Sequence, residues 1–247
     1  GAAHLATAVQ RLRARNPNHV FVAAGDLVGA SPLLSALFND EPTILSLSLM
    51  GLEFSAVGNH EFDHGVAELL RKQHGGCHPT EGCKGPSPTF PGASFQYLSA
   101  STWDLKSGKT LLPAYRIKRF EGVPVAFIGL TLKGTPGIVS PEAVAGLRFD
   151  DEAQTINRLL PELRAQGAET IVVLIHEGGY PTGDYNECPG ISGPIVEIVN
   201  QLDPAVDLII SGHTHRAYQC RINGRLVTSG DKYGSTITEI DMKLERR

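Results

Sequence analysis

The most informative part of the sequence is a polar loop, Gly58-Asn59-His60-Glu61-Phe62-Asp63-His64-Gly65. The short apolar run before it, residues 54–57, predicts a buried strand, and residues 66–70 predict the opening of a helix. Five polar side chains therefore fall in a loop of eight residues between a strand and a helix. Because ligands and catalytic groups of open α/β sheets gather at the carboxyl ends of strands, this loop is predicted to belong to a functional site.

The same residues also match H-E-x-x-H, the zinc-binding helix of one class of proteases, between His60 and His64. That motif needs a continuous helix, so that both histidines lie on one face. Here Gly58 and Gly65 bracket the pattern and a predicted strand precedes it. Ala67 also stands where the extended motif has a glycine. An ordinary polar loop is the other alternative, and it becomes weaker once the other strand ends are considered.

The composition favours one large α/β domain, because 247 residues with 41% hydrophobic content suffice for a sizeable core. A formal net charge of −4 provides no basic field, so a nucleic-acid polymer is not an expected partner. The sequence contains no run of eighteen apolar residues, and no membrane span is predicted. The chain begins at Gly1 rather than methionine, which is compatible with the removal of an export signal.

The four cysteines allow three disulfide connectivities, which their spacing alone does not distinguish. We favour Cys77 with Cys83, inside a segment rich in Gly, Pro and Thr, and Cys188 with Cys220 at longer range. Two disulfides would place the protein in an oxidising compartment, either periplasmic or secreted to the cell surface. A zinc site made of Cys77, His78 and Cys83 is the alternative, but it lacks a fourth ligand at any usual spacing.

Hydrophobic periodicity predicts strands that alternate with helices, followed by a strand-rich end. Further helices are predicted over residues 3–15, 33–38, 42–50, 151–166 and 191–202, and further strands over residues 19–24, 95–98, 114–119, 123–130, 169–175 and 206–210. Residues 74–95 form a long irregular insertion. The tail from Ala217 to Lys243 is predicted to contain successive antiparallel strands with a hairpin turn at Asn223-Gly224. This order predicts an α/β fold, with a sandwich of two sheets flanked by helices.

Four of the predicted strands end in polar clusters, and in three of them a glycine allows the backbone to turn sharply. The clusters are Gly25-Asp26, Gly58-Asn59-His60, Ile175-His176 and Gly212-His213-Thr214-His215. A single histidine at a strand end is usually an ordinary core or surface residue, but four such clusters are hard to explain as coincidence. Carboxylate, amide and imidazole groups without a thiolate suit zinc, manganese, iron or cobalt. The sequence therefore predicts a divalent-metal site.

The order of these motifs resembles that of the calcineurin-like metallophosphoesterases. The longer stretches 25–34, 58–63, 128–130 and 175–179 are similar to the bacterial branch that contains 5′-nucleotidases and 2′,3′-cyclic phosphodiesterases. The resemblance covers nearly the whole chain and implies one catalytic domain, residues 1–247, with a four-layer αββα sandwich. It also implies hydrolysis of the phosphate esters of small-molecule nucleotides with two divalent metal ions, zinc or manganese among the candidates.

The resemblance assigns the metal ligands residue by residue. Asp26 would bridge the two metal ions. Asn59, His176 and His213 would complete the shell of one ion, and His215 would belong to the other. Two ions of this kind activate water and hold the phosphoryl oxygens for in-line attack on phosphorus.

The resemblance also implies that His60 is a catalytic residue that does not bind metal. It would supply a proton or positive charge to the phosphate, and Asp63 would orient it and keep it charged. The alternative for Asp63 is an acid that stabilises a helix N-terminus. The remaining histidines match no ligand position and are expected to be ordinary loop or surface residues: His4, His19, His64, His74 and His78.

Two departures from the family pattern qualify this assignment. Family members begin with a strand that ends in Asp-x-His. This sequence contains no Asp-x-His and opens where the first helix of the family would be, so the first strand of the sandwich is expected to be missing from it. The 5′-nucleotidases of the family also continue into a domain whose aromatic residues hold the nucleoside, whereas this sequence stops at Arg247. The resemblance thus implies one complete and one incomplete metal site and weak turnover by this chain. A related hydrolase, such as a thiosulfohydrolase, and a non-catalytic binding domain that has lost one metal are the alternatives.

Overall fold

The computed structural model describes residues 1–85 and 88–245. Its helices are α1 (Ala2–Arg13), α2 (Leu33–Ala36), α3 (Glu41–Met50), α4 (Gly65–His74), α5 (Glu152–Ala165) and α6 (Pro194–Asn200). Its strands are β1 (Phe21–Ala23), β2 (Leu52–Ala56), β3 (Gln96–Leu98), β4 (Thr102–Asp104), β5 (Lys109–Thr110), β6 (Tyr115–Phe120), β7 (Val123–Thr131), β8 (Leu147–Phe149), β9 (Thr170–His176), β10 (Leu208–Ser211), β11 (Ala217–Ile222) and β12 (Arg225–Gly230). The predicted helices and strands before Ala217 are therefore confirmed close to their expected bounds.

Two sheets pack face to face in the centre of the molecule. The first is parallel, with the strand order β1-β2-β3, and the second is mixed, with the order β11-β12-β10-β9-β7-β6. An apolar cluster fills the space between them and includes Ala56, Leu98, Phe127, Val172 and Leu174. This interface makes the two sheets a sandwich, as predicted.

Helices cover the outer faces of both sheets. Side chains alternate along a strand, so Val173 and Ile175 of β9 point away from the sheet interface and pack with Ile156 of α5 and Val199 of α6. On the other side of the sandwich, Ile44 of α3 and Leu69 of α4 belong to a separate cluster, together with Tyr97 of β3. The layers follow the order helix, sheet, sheet, helix, which confirms the predicted α/β sandwich.

The chain after β11 confirms the predicted hairpin but not the strands predicted beyond it. β11 and β12 pair antiparallel across Asn223-Gly224, with Ile222 opposite Arg225. Residues 231–245 contain no strand, so the prediction of further strands up to Lys243 is wrong. β12 already has β10 on one side and β11 on the other, which leaves it no free edge for another strand. Ile240 and Leu244 pack instead against the cluster between the two sheets.

A small antiparallel sheet, with the order β5-β4-β8, was not predicted. Its strands have only two or three residues, which is too short for a period of two to be visible in the sequence. Phe149 of β8 packs edge-on against Phe62, with 5.5 Å between the ring centroids. This small sheet thereby supports the loop that follows β2.

Both favoured disulfides, Cys77–Cys83 and Cys188–Cys220, are present. The first closes a short ring within the insertion after α4, and the second joins the segment before α6 to β11. Because both thiols of the first pair are oxidised, the alternative zinc site that includes His78 is wrong. Among the residues described, no helix has the length and apolar character that a membrane crossing requires.

Candidate metal centre

The loops that follow the neighbouring strands β1 and β2 approach each other very closely. A Cβ atom on Gly25, which has a φ of 87°, would lie 2.6 Å from the backbone nitrogen of Gly58. A Cβ atom on Gly58 would lie 2.0 Å from Oδ1 of Asp26. Only glycine fits at these two positions, because any side chain would separate the loops after β1 and β2. The glycines therefore allow the polar residues that follow them to share one crevice.

Four of the five predicted metal ligands meet in this crevice. Nε2 of His176 is 2.8 Å from Oδ2 of Asp26 and 3.1 Å from Oδ1 of Asn59. The ring of His213 lies 5.1 Å from the ring of His176. Ligand atoms of Asp26, His176 and His213 all lie within 4.8 Å of one another. One carboxylate, one amide and two imidazoles, contributed by four different strand ends, thus converge.

A hydrogen bond to the main chain sets the orientation of His176. Its Nδ1 lies 2.8 Å from the carbonyl oxygen of Ala24, and a carbonyl can only accept, so Nδ1 carries the proton. Nε2 is then the atom that faces Asp26 and Asn59. Metal-binding histidines usually have their second nitrogen held in this way.

Three of the predicted ligands have left-handed backbone conformations. The φ angles are 53° at Asp26, 69° at His213 and 53° at His215. Residues with side chains are uncommon in this region, and such strain is typically retained where function requires a particular side-chain direction. The turns after β1 and β10 therefore contain strained backbone conformations that direct these side chains towards the crevice.

The glutamate of the loop after β2, Glu61, ties two strand ends together, a role that the sequence did not predict. It is buried, and its carboxylate accepts hydrogen bonds from the backbone N–H groups of Asp26 (2.9 Å), Leu27 (2.7 Å) and Gly58 (2.6 Å). The hydroxyl of Tyr97 donates a further bond of 3.3 Å. Burial and the neighbouring charge of Asp26 raise the pKa of Glu61 to about 7. The polar character of Glu61, shortly after a predicted strand, is the sequence feature that could have indicated this role.

His60 lies beside the predicted ligands without joining them. Its Nδ1 is 2.8 Å from Oδ2 of Asp63, and its backbone N–H donates to Oδ1 of Asp26 at 2.8 Å. Residues His60–Phe62 form a single 3₁₀ turn rather than part of a continuous helix. The zinc-protease alternative for His60 and His64 is therefore wrong, since it requires both side chains on one helical face.

The fifth predicted ligand, His215, lies next to the cluster but outside the group whose ligand atoms meet. Its ring contacts the exposed ring of Tyr233, with 5.8 Å between the centroids. The sequence did not predict this contact. Tyr233 follows β12 and His215 follows β10, and no local pattern shows that the residues after these two strands are neighbours. None of the histidines interpreted as ordinary contributes a ligand atom to the cluster found among the residues described.

For Asp26 and His213 the local electrostatics favour the protonation states that metal binding requires. Burial alone would lower the pKa of His176, but its hydrogen bond to Asp26 raises it overall, so a metal ion would displace a proton from Nε2. Burial alone would raise the pKa of Asp26, but the hydrogen bond and charge of His176 lower it overall. Burial and the charge of His176 lower the pKa of His213, which keeps that imidazole neutral. Burial would also lower the pKa of His60, but the hydrogen bond to Asp63 and the charge of Asp26 raise it overall. Ionised carboxylates and neutral imidazoles bind metals, whereas a protonated His60 can act as an acid.

The donor set fits a divalent metal ion. Oxygen and imidazole nitrogen ligands without thiolates suit zinc, manganese, iron or cobalt, and the cluster of Asp26, His176 and His213 is compact enough to surround one ion. The position of these ligands, at the carboxyl ends of parallel strands, is where α/β folds bind their ligands.

Comparison with known proteins agrees with this geometry. The family model described as calcineurin-like phosphoesterase matches residues 1–217. The chain therefore belongs to the calcineurin-like phosphoesterase family, whose members hydrolyse phosphate esters and generally use divalent metals.

Individual relatives are considerably longer than this chain. The endonuclease YhcR of Bacillus subtilis (strain 168) is 35% identical over 98% of this chain, which spans 19% of that protein. The 5′-nucleotidase of Vibrio cholerae is 28% identical over 95% of this chain and 39% of its own length. A crystal structure of a 5′-nucleotidase precursor from Thermus thermophilus has the same fold, with a TM-score of 0.73 and 24% identity over 95% of this chain and 44% of that one. The chain thus spans less than half of each protein.

Proposed function

We propose that residues 1–247 form the catalytic domain of a metal-dependent phosphoesterase that acts on nucleotides. The observation that carries this proposal is the convergence of Asp26, Asn59, His176 and His213 beside the His60–Asp63 pair. Ligands for a divalent ion thus lie next to a histidine that is positioned for proton transfer. Phosphoester hydrolysis requires this combination, because the phosphate needs charge stabilisation and the leaving oxygen needs a proton.

We assign two divalent ions to this site. Asn59, His176 and His213 would hold one ion together with Asp26, while Asp26 and His215 would contribute to the second. When bound, such ions supply positive charge for the phosphoryl oxygens and lower the pKa of water. Two protein ligands are fewer than the three that catalytic sites normally provide. We therefore expect this chain to hold one ion tightly and the second weakly, with correspondingly slow turnover.

His60 would act on the leaving group. Because Asp63 occupies Nδ1, the free Nε2 is the nitrogen available to a substrate. The bond from its backbone N–H to Asp26 holds the main chain of His60 beside the ligand cluster. Asp63 stabilises the protonated form of His60, so the proton is available when the ester oxygen leaves.

The substrate class and the location are inferred from the relatives, the net charge and the disulfides. Relatives of the chain include a protein named as a 5′-nucleotidase, and the net charge of −4 favours a small phosphate ester over a nucleic-acid polymer. The two disulfides favour an oxidising location, either the periplasm or the cell surface. Zinc and manganese are the candidate ions because both accept mixed oxygen and imidazole ligands.

The test is a comparison of His60→Ala with wild type in saturating Mn²⁺ or Zn²⁺, with p-nitrophenyl phosphate and AMP as substrates. We expect kcat to fall by about 10²–10⁴-fold, as for the loss of a general acid, with metal content unchanged by elemental analysis. His64→Ala, a neighbouring histidine outside the cluster, is the matched control. Loss of metal from the His60→Ala protein would assign His60 to the ligand shell and contradict its catalytic role. A wild-type chain that binds no metal would favour the non-catalytic alternative.

A further inference from the structure

The turn after β12, residues 231–235, lies at the same edge of the sandwich as the candidate metal centre. β10 and β12 are parallel neighbours, with Ser211 opposite Ser229. The residues that leave both strands therefore emerge side by side. The predicted ligands His213 and His215 follow β10, and Lys232 and Tyr233 follow β12. Neither Lys232 nor Tyr233 takes part in the proposed metal binding or proton transfer.

Tyr233 presents its ring to solvent beside a predicted metal ligand. The residue is 82% exposed, and its ring centroid lies 5.8 Å from that of His215, with the rings inclined at 62°. Its φ of 57° is left-handed, which is unusual for a bulky side chain. Bulky residues in this backbone conformation persist only where the surrounding structure fixes them, and such positions cluster at ligand-binding sites.

Hydrogen bonds within the turn hold this conformation. The backbone N–H of Ser235 donates to the carbonyl of Lys232 at 3.2 Å, and the Ser235 hydroxyl donates to the same oxygen at 2.8 Å. The hydroxyl of Thr236 donates to the carbonyl of Gly230. The turn is therefore closed at both ends, and Tyr233 is presented from a fixed backbone.

Lys232 adds a positive charge to the same surface. Its ammonium lies 5.5 Å from the centroid of the Tyr233 ring, a distance typical of a cation–π contact. The cation lies over the ring, and the 82% exposure of Tyr233 leaves most of the residue accessible to solvent. The surface thus offers an aromatic ring and a cation beside the candidate metal centre.

We infer that Tyr233 and Lys232 form a binding subsite for phosphate esters whose leaving group is aromatic. The planar group would stack on the exposed ring of Tyr233, and Lys232 would attract the phosphate towards the candidate metal centre. Stacking of a base on an aromatic side chain changes affinity by about 5- to 150-fold. This inference rests on the proposed function, since the phosphate is taken to bind at the candidate metal centre.

Two pairs of esters test the subsite, each with one aromatic and one aliphatic leaving group: AMP with ribose 5-phosphate, and p-nitrophenyl phosphate with glycerol 3-phosphate. Tyr233→Leu should raise KM for the aromatic member of a pair by about 5- to 150-fold and leave the aliphatic member within about twofold. Tyr233→Phe should behave like wild type, because it keeps the ring. Lys232→Met should raise KM for all four esters, because its charge acts on the phosphate that they share.

Tyr185→Leu is the matched control, because Tyr185 is another exposed tyrosine and lies on the loop before Cys188. If Tyr233→Leu raises KM for AMP alone, the subsite is selective for a nucleobase. If it raises KM for both aromatic esters, the subsite accepts aromatic groups in general. Equal changes in KM for aromatic and aliphatic esters, no change, or loss of metal from Tyr233→Leu would each overturn the inference. Loss of metal would mean that Tyr233 only supports His215.

Calorimetric binding of adenosine and of ribose separates this inference from the proposed function. If wild type hydrolyses none of the four esters, the proposed function fails, whereas adenosine binding that Tyr233→Leu weakens would still support the subsite. If wild type hydrolyses the esters but binds adenosine no better than ribose, the subsite fails and the proposed function stands.

Discussion

Two regions of this protein bury charged side chains, and they differ in how those charges are compensated. On α3 and α4, Glu41, Glu68, Arg71 and Lys72 form a closed cluster of two acids and two bases. At the candidate metal centre, the buried carboxylate of Glu61 lies near that of Asp26, and its hydrogen bonds come from backbone N–H groups and one hydroxyl. The first cluster is balanced in charge, whereas the second places two carboxylates together.

The two regions also differ in how the sequence brings their residues together. Glu68 bonds to Arg71 and Lys72, three and four residues away on the same helix, at 2.7 and 3.1 Å. His176 and Asn59 are separated by 117 residues, and left-handed residues shape the turns around the ligands. A buried charge that neighbours on one helix satisfy is a structural feature. Charged and polar groups that come from distant parts of the chain, and that strained turns bring together, indicate a binding site.

The largest effect is expected at the metal centre. Asp26→Asn removes the carboxylate shared by the proposed ions and should reduce kcat/KM by about 10³-fold or more, because such ions supply several kcal/mol of charge stabilisation. The midpoint of thermal unfolding should fall only modestly, because the amide keeps an oxygen near His60 but loses the ion pair with His176. Activity and calorimetric melting of the same preparations check both statements. A variant that is strongly destabilised would make Asp26 a structural residue, like Arg71.

The next effect is expected in the balanced cluster. Arg71→Met leaves Glu41 and Glu68 buried without their shared partner, which should lower the free energy of unfolding by about 3–5 kcal/mol. Because the cluster lies on helices away from the ligands, kcat at a temperature where the variant is folded should change by less than about twofold. Urea unfolding and steady-state kinetics measure the two quantities. Lys84→Met, which removes a more exposed ion pair with Glu81, is the control.

A smaller effect is expected for the residue that joins the strand ends. In Glu61→Gln the amide N–H₂ would face backbone N–H groups that need an acceptor, so the loops that carry Asp26 and Gly58 should separate slightly. Metal affinity should fall by about 10- to 100-fold, as for other residues that support ligands. Calorimetric titration with Mn²⁺ measures this. Glu152→Gln, a buried glutamate that accepts the backbone N–H of Lys133, should leave metal affinity unchanged.

The smallest effect concerns pH. Burial alone would raise the pKa of Glu68, but hydrogen bonds and charge from Arg71 and Lys72 lower it below its ordinary value of 4.5. A lowered pKa contributes stability that is present above 4.5 and is lost as pH falls through the folded-state pKa. Urea unfolding at pH 5.5 and 3.5 should therefore show a larger loss of stability in wild type than in Arg71→Met. If both proteins lose the same free energy of unfolding between these pH values, this cluster does not contribute to the loss of stability in acid.

Much of the fold and part of the candidate site could be predicted because the signals are local. The apolar run of β9 is visible in residues 170–176, and the turn at Asn223-Gly224 predicts its hairpin from two residues. Polar residues that follow glycines at strand ends identify Asp26 and Asn59 as ligand candidates. The same local signals failed after Gly230, where β12 is already paired on both sides and therefore cannot accept a further strand.

The sequence by itself determined which strands end in polar groups, where helices begin and which chemical groups are available to a metal. Only the tertiary structure decided that Glu61 bonds to the loop after β1, that Tyr233 lies against His215 and that Arg71 joins Glu41 to Glu68. Secondary structure follows from interactions between residues a few positions apart, and its period is therefore written in the sequence. The candidate site depends on distances between residues more than a hundred positions apart, which exist only after both sheets have packed.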